Sequence, residues 1–244
     1  MKRSDASNRI LIIVPAYNEA NAISRVIGDI AATGPQWDIL VVNDCSTDAT
    51  GDLASTGHAA VINLCYNLGI GGAVQTGFRY ARDNGYAVAV QVDGDGQHPA
   101  AGIPLLVNEL SPGRADVVIG SRFKGAAGGY QSTLPRRLGI TVIGGALRLL
   151  TGYAIRDVTS GFRAYGRAAI ELLAQEYPHD FPEPESLLLF WKKGLKVKEI
   201  AVPMQPRNSG VSSIRGITTM YYMLKVLLAL LVYSLRSRSV GEKE

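Results

Sequence analysis

The feature that most constrains this chain is an apolar run that ends abruptly in two carboxylates. Residues 86–92 are apolar apart from Gln91 and predict a buried strand, and Asp93 and Asp95 follow it, each with a glycine after it. A strand that ends this way presents its acids at the carboxyl edge of a sheet, where open α/β sheets bind ligands. With the Gln97 amide they form an all-oxygen set suited to Mg²⁺ or Mn²⁺. A surface Asp-Gly turn is the alternative interpretation.

Apolar strands and helical patterns alternate along most of the chain and are joined by short connections. This alternation predicts an α/β fold, a mostly parallel sheet with helices on both faces. The 244 residues suffice for one large domain of this class or at most two small ones. Because predicted strands end at Pro15, Asp44 and Asp93, we expect one crevice at the carboxyl edge to collect all three.

The individual elements follow from periodicity and from turn residues. The predicted strands cover residues 9–14, 37–43, 59–64, 86–92, 116–120 and 196–202. Pro15 is expected to stop the first strand, and Asn18 or Asn21 to cap the helix that follows. Further helices are predicted after residues 46–48, through about residue 82, over 99–110, over 138–150 and from 183 onward. Residues 157–165 show no clean period, which favours a site over a linker.

Charge and cysteine content limit the partners that we expect. A net charge of +4 is compatible with an anionic substrate or an acidic membrane surface but is too weak to indicate nucleic acid. Cys45 and Cys65 lack metal-like spacing and are interpreted as free thiols in a reducing compartment. Residues 1–8 are polar and do not form a secretory signal.

Six short motifs occur in order along residues 14–163. They are VPAYNE at 14–19, VNDCSTD at 42–48, NLG at 67–69, DGDGQHP at 93–99, GSR at 120–122 and TSGFR at 159–163. This order resembles family 2 glycosyltransferases with the GT-A fold, and within them the dolichol-phosphate mannose synthase and polyprenyl-phosphate hexosyltransferase branch. The resemblance extends over residues 9–214. It implies a nucleoside-diphosphate sugar donor, a divalent metal and a polyprenyl-phosphate acceptor.

Roles for individual positions are implied by the same resemblance. The implied nucleotide-binding residues are Pro15, Tyr17, Glu19, Asp44 and Asp93. The implied metal ligands are Asp93, Asp95 and Gln97, and Arg122 matches the basic residue near the diphosphate. Asp157 and residues 160–163 match the acceptor-side wall. With Glu185, a candidate base that the resemblance does not supply, the residues expected to carry catalysis are Asp95, Arg122, Asp157 and Glu185.

The acceptor decides whether a general base is needed. A divalent ion and an arginine would stabilise the charge on the departing diphosphate, while the acceptor oxygen attacks the opposite face and inverts the anomeric carbon. A hydroxyl acceptor needs a base there, and Asp157 and Glu185 are the candidates. A phosphate acceptor is already an anion and needs only cations to position it. Capping of a helix N-terminus is the structural alternative for Glu185.

One motif departs from the pattern of the lipid-phosphate mannose synthases. Residues 207–213 should close over the diphosphate, with Arg207 as the cation and Ser212 as a hydrogen-bond donor. The lysine that usually ends this stretch is replaced by Ser213, which removes one charge for a lipid phosphate. An enzyme that elongates a lipid-linked or cell-surface glycan is therefore the nearest alternative function.

The C-terminal stretch separates from the globular part. Residues 217–235 form an apolar helical pattern with one polar stripe, interrupted by Lys225 and flanked by arginines. We expect a GT-A domain over residues 1–214 and, over 215–244, an interfacial helix with a basic tail. That helix would lie on the cytoplasmic face of the membrane, or pack on a small membrane protein or a second copy of the chain. An ordinary core helix is the alternative.

Other function classes fit less well. A nucleotidyltransferase should carry a glycine-rich loop with lysine or arginine after its first strand, and residues 15–19 are not such a loop. A nucleotidase with a phosphate-binding loop is excluded, because Gly-Lys-Ser/Thr should follow the glycines of such a loop and does not follow residues 69–72. A non-catalytic nucleotide-sugar-binding subunit is the remote alternative, and it would not depend on Asp95.

Overall fold

A computed structural model describes residues 9–34, 36–110, 113–124, 134–178, 181–203 and 225–228, the side chains of 134–138 excepted. Within these ranges seven strands form one sheet: β1 (Ile10–Ala16), β2 (Asp38–Asn43), β3 (Ala60–Asn63), β4 (Val88–Gln91), β5 (Val117–Ser121), β6 (Arg163–Gly166) and β7 (Val197–Ala201). Their order across the sheet is β3-β2-β1-β4-β6-β5-β7. All neighbours are parallel except β6, which is antiparallel to β4 and β5. The predicted α/β class with a mostly parallel sheet is confirmed.

Helices cover both faces of this sheet. They are α1 (Ile23–Thr33), α2 (Thr50–Ser55), α3 (Gly69–Asp83), α4 (Ile103–Glu109), α5 (Leu134–Thr151), α6 (Arg167–Gln175) and α7 (Pro182–Lys192). Successive β1 side chains alternate between two cores, with Leu11 and Ile13 in one and Ile12 and Val14 in the other. The first core contains side chains of α3, α5, α6 and α7, and the second contains those of α1, α2 and α4.

Two local predictions near the first strand are wrong. β1 continues through Pro15 to Ala16, and Pro15 is paired in register with Val42 of β2. Its carbonyl accepts from Gly94 on the β4 side, beyond the last β1–β4 pair at Ile13, so the missing N–H breaks no ladder bond. The α1 N-terminus has no side-chain cap.

The C-terminal prediction falls mostly outside the described residues. Residues 225–228 are helical, and Val226 is fully buried in the core that contains α3 and α5. Nothing further is described of 204–224 or 229–244, so Arg207, Ser212 and most of 217–235 lie outside the described residues. No helix within the described ranges is long and apolar enough to cross a membrane.

The close packing of α3 on β1 depends on Gly77. A Cβ at Gly77 would lie 2.4 Å from Ile13 Cγ2, and Ile13 is fully buried in a strand where its χ1 is stiff. Gly77→Ala should therefore lower the free energy of unfolding by about 1–3 kcal/mol, measured by urea denaturation.

Gly28→Ala is the matched control for this substitution. Gly28 also lies within a helix, but a Cβ added there would meet no other atom within 4 Å. The control should raise the free energy of unfolding by about 0.5–1 kcal/mol through helix propensity. Equal effects of the two substitutions would contradict the close α3–β1 packing.

Candidate active site

The carboxyl edge of the parallel strands forms a cleft of about 420 Å³. It is lined by the end of β1 and the residues after β1, β2 and β4, together with Asn67 and the first turns of α3. Six predicted residues lie together in this lining, namely Pro15, Tyr17, Glu19, Asp44, Asp93 and Asp95. The crevice expected from the strand ends is thus present, because parallel strands end at the same edge of the sheet.

One end of the cleft combines a buried carboxylate with an exposed aromatic ring. Asp44 is 3 % exposed; its Oδ1 accepts the Leu68 N–H at 2.7 Å, and its own N–H donates to Ala16 O. The Tyr17 side chain is 48 % exposed, and Ile70 also contributes an exposed apolar side chain to the lining. A fixed carboxylate beside an exposed ring is suited to a planar group that carries N–H donors, such as a nucleotide base.

The loops after β1 and β2 are tied together below this end. The Asn18 N–H donates to Ser46 Oγ at 3.0 Å, and the Glu19 N–H donates to Thr50 Oγ1 at 2.8 Å. Burial raises the pKa of Asp48, but hydrogen bonds from Thr50 and Ala20 outweigh it and lower the pKa overall. These bonds replace the helix cap predicted for Asn18 and fix the loop that contains Tyr17 and Glu19.

The two acids after β4 are separated by a glycine in close contact with β1. A Cβ at Gly94 would lie 3.1 Å from Pro15 O, and Gly96 has a φ of +76°, which favours glycine. The Gln97 N–H donates to Asp95 Oδ1 at 3.0 Å. The sequence Asp-Gly-Asp-Gly therefore makes the tight turn that brings both carboxylates into the cleft.

Asp93, Asp95 and Gln97 fit a hard divalent cation by donor chemistry. Their side chains offer only carboxylate and amide oxygen acceptors, and all three residues are half-buried, so ligand groups can reach them. Among the described residues no cluster of three or more His, Cys, Asp or Glu side chains has metal-binding geometry. Two carboxylates with an amide match a cation whose remaining ligands come from phosphate and water.

Two predicted catalytic residues that are not among those lining this cleft, Arg122 and Asp157, form a buried ion pair. Asp157 is fully buried and accepts from Arg122 Nε and Nη2, both at 2.7 Å, and from the Arg122 N–H at 3.0 Å. Arg122 Nη2 also donates to Thr159 Oγ1 at 2.9 Å. The carboxylate is thus engaged in a bidentate pair, a geometry that orients Arg122 rather than one that leaves Asp157 ready to accept a proton.

A residue that the sequence did not single out supports this pair. Glu199 of β7 is 3 % exposed, and its Oε1 accepts the N–H groups of Arg156 at 3.0 Å and Asp157 at 2.8 Å. Its carbonyl accepts from Lys124 Nζ. The only sequence signal was one acid inside a predicted strand, because its partners lie more than 40 positions away.

Arg163 and Glu183 form a second buried polar group behind Asp93. Arg163 is 1 % exposed and donates to Ser160 O at 2.7 Å, Ser186 Oγ at 2.9 Å and Glu183 O at 2.9 Å, which joins β6 to the first turn of α7. Burial raises the pKa of Glu183, while the nearby Arg163 charge lowers it and Asp93 raises it further. Glu185 lies half-buried in the same first turn, where the predicted helix begins.

The sequence is similar to those of known glycosyltransferases over most of its length. Residues 11–173 match the family described as Glycosyl transferase family 2. The chain is 32 % identical over 231 residues to the polyprenol monophosphomannose synthase of Mycolicibacterium smegmatis, covering 90 % of this chain and 86 % of that protein. It is 33 % identical over 219 residues to the undecaprenyl-phosphate mannosyltransferase of Micrococcus luteus, and this match covers 85 % of this chain and 88 % of that protein.

A solved structure with the same fold is the glucosyl-3-phosphoglycerate synthase of Mycobacterium tuberculosis in complex with Mn²⁺, uridine diphosphate and glucosyl-3-phosphoglycerate. Its TM-score is 0.69 at 22 % identity, and the match covers 94 % of this chain and 81 % of that one. This likeness confirms the GT-A type of architecture predicted for the chain.

We expect the side chains of Arg122 and Asp157 to be strongly coupled in their contributions to the free energy of unfolding. Asp157→Ala should lower the free energy of unfolding by about 3–5 kcal/mol, because it leaves a nearly buried guanidinium without its partner. The double variant with Arg122→Ala should lose much less than the sum of the two single variants in a denaturant-based double-mutant cycle.

The exposed pair Arg167–Glu171 on α6 is the control, since both of its side chains are about half-exposed. Its coupling energy should be only about 0–1 kcal/mol. Additive effects at Arg122 and Asp157, as small as those on α6, would show that the pair is not an interacting unit.

Proposed function

Because the chain belongs to glycosyl transferase family 2, we propose that this glycosyltransferase transfers a hexose from a nucleoside-diphosphate sugar to polyprenyl phosphate. The observation that carries this proposal is the pair of relatives named for polyprenol and undecaprenyl phosphates, each of which matches at least 85 % of this chain. The reaction would take place at the cytoplasmic face of the membrane, with residues 215–244 as the peripheral attachment.

The donor would occupy the cleft formed by the ends of β1, β2 and β4. In this proposal Asp44, Pro15, Tyr17 and Glu19 hold the base and ribose, and Asp93 with Asp95 faces the diphosphate. A bound Mg²⁺ or Mn²⁺, held by Asp93, Asp95 and Gln97, would neutralise charge on the departing diphosphate. Arg122, oriented by Asp157, would contribute a second positive charge to the same diphosphate.

The acceptor phosphate would attack the anomeric carbon from the face opposite the diphosphate. A bond forms between a phosphate oxygen and the anomeric carbon as the bond to the nucleoside diphosphate breaks, which inverts the configuration. The attacking oxygen is already anionic, so no proton has to be removed. Charge is conserved because the acceptor anion becomes a phosphodiester and the nucleoside diphosphate leaves with the negative charge.

A second cavity supports an amphiphilic acceptor. It measures about 640 Å³ and is lined by Lys124, Arg148 and Arg156 together with apolar side chains that include Phe123, Ile140 and Ile155. Lys124 follows Arg122 by two positions and Arg156 precedes Asp157, so the cavity adjoins the residues of the acceptor wall. Cations beside an apolar lining are suited to a lipid that carries a phosphate.

Transfer into lipid is the test of this function. Membranes or detergent solutions containing polyprenyl phosphate should acquire radiolabel from one member of a panel of UDP-, GDP- and dTDP-sugars. Mild acid should release the label, since a sugar 1-phosphodiester is acid-labile, and EDTA should abolish transfer until Mn²⁺ or Mg²⁺ is restored. Label that requires a preformed glycan primer would instead favour the alternative function, elongation of a lipid-linked glycan, for which Ser213 in place of the lysine is the motivating observation.

Asp95→Asn should reduce transfer at least about a hundredfold, because it removes one of the two carboxylates that face the cation. Asp52→Asn is the matched control: it makes the same chemical change on an exposed face of α2, and should leave the rate of transfer unchanged. Initial rates at saturating donor measure both. An Asp95→Asn protein with the wild-type rate would favour the non-catalytic nucleotide-sugar-binding subunit.

A further inference from the structure

His98 contacts Asp93 through both of its ring nitrogens. The Asp93 N–H donates to His98 Nδ1 at 3.0 Å, and His98 Nε2 lies 3.6 Å from Asp93 Oδ2. The His98 side chain is 8 % exposed, whereas that of Asp93 is 36 % exposed. Asp93 lines the cleft, whereas His98 does not, so the ring contacts the acid from outside the cleft lining.

The acceptor role of Nδ1 fixes the tautomer of the ring. A nitrogen that accepts an N–H cannot carry a proton itself, so in the neutral ring the proton is on Nε2. This places an N–H dipole towards Asp93 Oδ2 at a distance that is too long for a hydrogen bond but short enough for electrostatic attraction. One ring thus holds the backbone of Asp93 and attracts its carboxylate.

The ring itself is held by a rigid platform. His98 stacks on Phe162 with ring centroids 5.0 Å apart and an interplanar angle of 20°. Phe162 is fully buried between two glycines, and a Cβ at Gly102 or Gly120 would lie 2.8 Å from its ring. The platform therefore has no room to shift, and the position of the imidazole follows from the packing of β6 against β5 and the turn before α4.

We propose that His98 is a positioning residue that holds Asp93 in the orientation needed to bind the divalent cation. It touches neither the sugar nor the phosphates, and acts through the hydrogen bond from the Asp93 N–H to Nδ1. The inference rests on the proposed function in one respect, the assignment of Asp93 as a metal ligand. Partners that orient metal ligands change metal affinity by about 10–100-fold when they are removed.

Two variants separate this hydrogen bond from the packing of the ring. In His98→Asn the side-chain oxygen takes the place of Nδ1 and can accept the Asp93 N–H, although the stack on Phe162 is lost. In His98→Phe the stack and the volume remain, but the acceptor is lost. Should His98→Phe not fold, His98→Gln replaces it, because its amide reaches the place of Nε2 and not that of Nδ1.

The primary measurement is the affinity of the full chain for Mn²⁺. Electron paramagnetic resonance detects the bound ion, in the presence of UDP and, separately, of GDP. His98→Phe should weaken Mn²⁺ binding about tenfold or more, while His98→Asn should remain within about threefold of the wild type. Thermal unfolding of both variants shows whether the fold is kept. Wild-type affinity in His98→Phe, or equal loss in both variants, would overturn the proposal.

A second measurement separates this proposal from the metal assignment. Hydrogen exchange of the Asp93 amide, followed by NMR without metal, should become at least about tenfold faster in His98→Phe but not in His98→Asn. The wild-type protein could show slow exchange of the Asp93 amide and yet bind no Mn²⁺ with either nucleotide. That result would refute the metal role of Asp93 but would leave the hydrogen bond to His98 in place. Unchanged exchange in His98→Phe would refute the contact itself.

Discussion

The antiparallel pairing of β6 with β4 is the constraint on which the site depends. Gln91 is in register with Arg163, so the amino end of β6 lies at the carboxyl end of β4. The loop before β6 is thereby brought beside Asp93, and a Cβ at Gly161 would lie 3.2 Å from its Oδ1. A parallel β6 would place this loop at the opposite edge of the sheet. One reversed strand in a mostly parallel sheet therefore brings the loop that contains Asp157 and Gly161 to the edge where Asp93 lies.

The wall formed by Arg122, Asp157, Arg163 and Glu199 is built from charges that are costly to bury, and each has several fixed partners. Glu199 accepts from the backbone at Asp157, Asp157 accepts from Arg122, and the three form a continuous series that links β7 to the loop after β5. Arg163 donates its hydrogen bonds to carbonyl and hydroxyl oxygens, and its charge lowers the pKa of the nearby Glu183 carboxyl. Because removal of one member leaves another unsatisfied, such networks favour a single arrangement of the wall.

Local signals were sufficient to predict the strands that end at Asp44 and Asp93 and the crevice between them, because apolar runs and turn residues act over a few positions. These local signals did not reveal β6. Its four residues include a buried arginine and a buried tyrosine, and they form a strand because they pair with the neighbouring strands β4 and β5. Pro15 was expected to end β1, and only the end of the β1–β4 ladder explains why it does not. The partnership of Arg122 with Asp157, 35 positions apart, depends on β5 and on the Glu199 contact from β7, which no local pattern contains.

The geometry of Asp157 bears on the choice between a phosphate and a hydroxyl acceptor. Both of its oxygens accept from Arg122, and a proton taken up by this carboxylate would break a buried ion pair. Asp157 is thus a poor general base. Glu183 and Glu185 lie in the first turn of α7, where burial raises the pKa of Glu183 and the nearby Arg163 charge lowers it. An acceptor that is already anionic needs no base, and it gains from an arginine that Asp157 holds in a fixed orientation. The Arg122–Asp157 pair therefore fits a phosphate acceptor better than a hydroxyl acceptor that Asp157 would have to deprotonate.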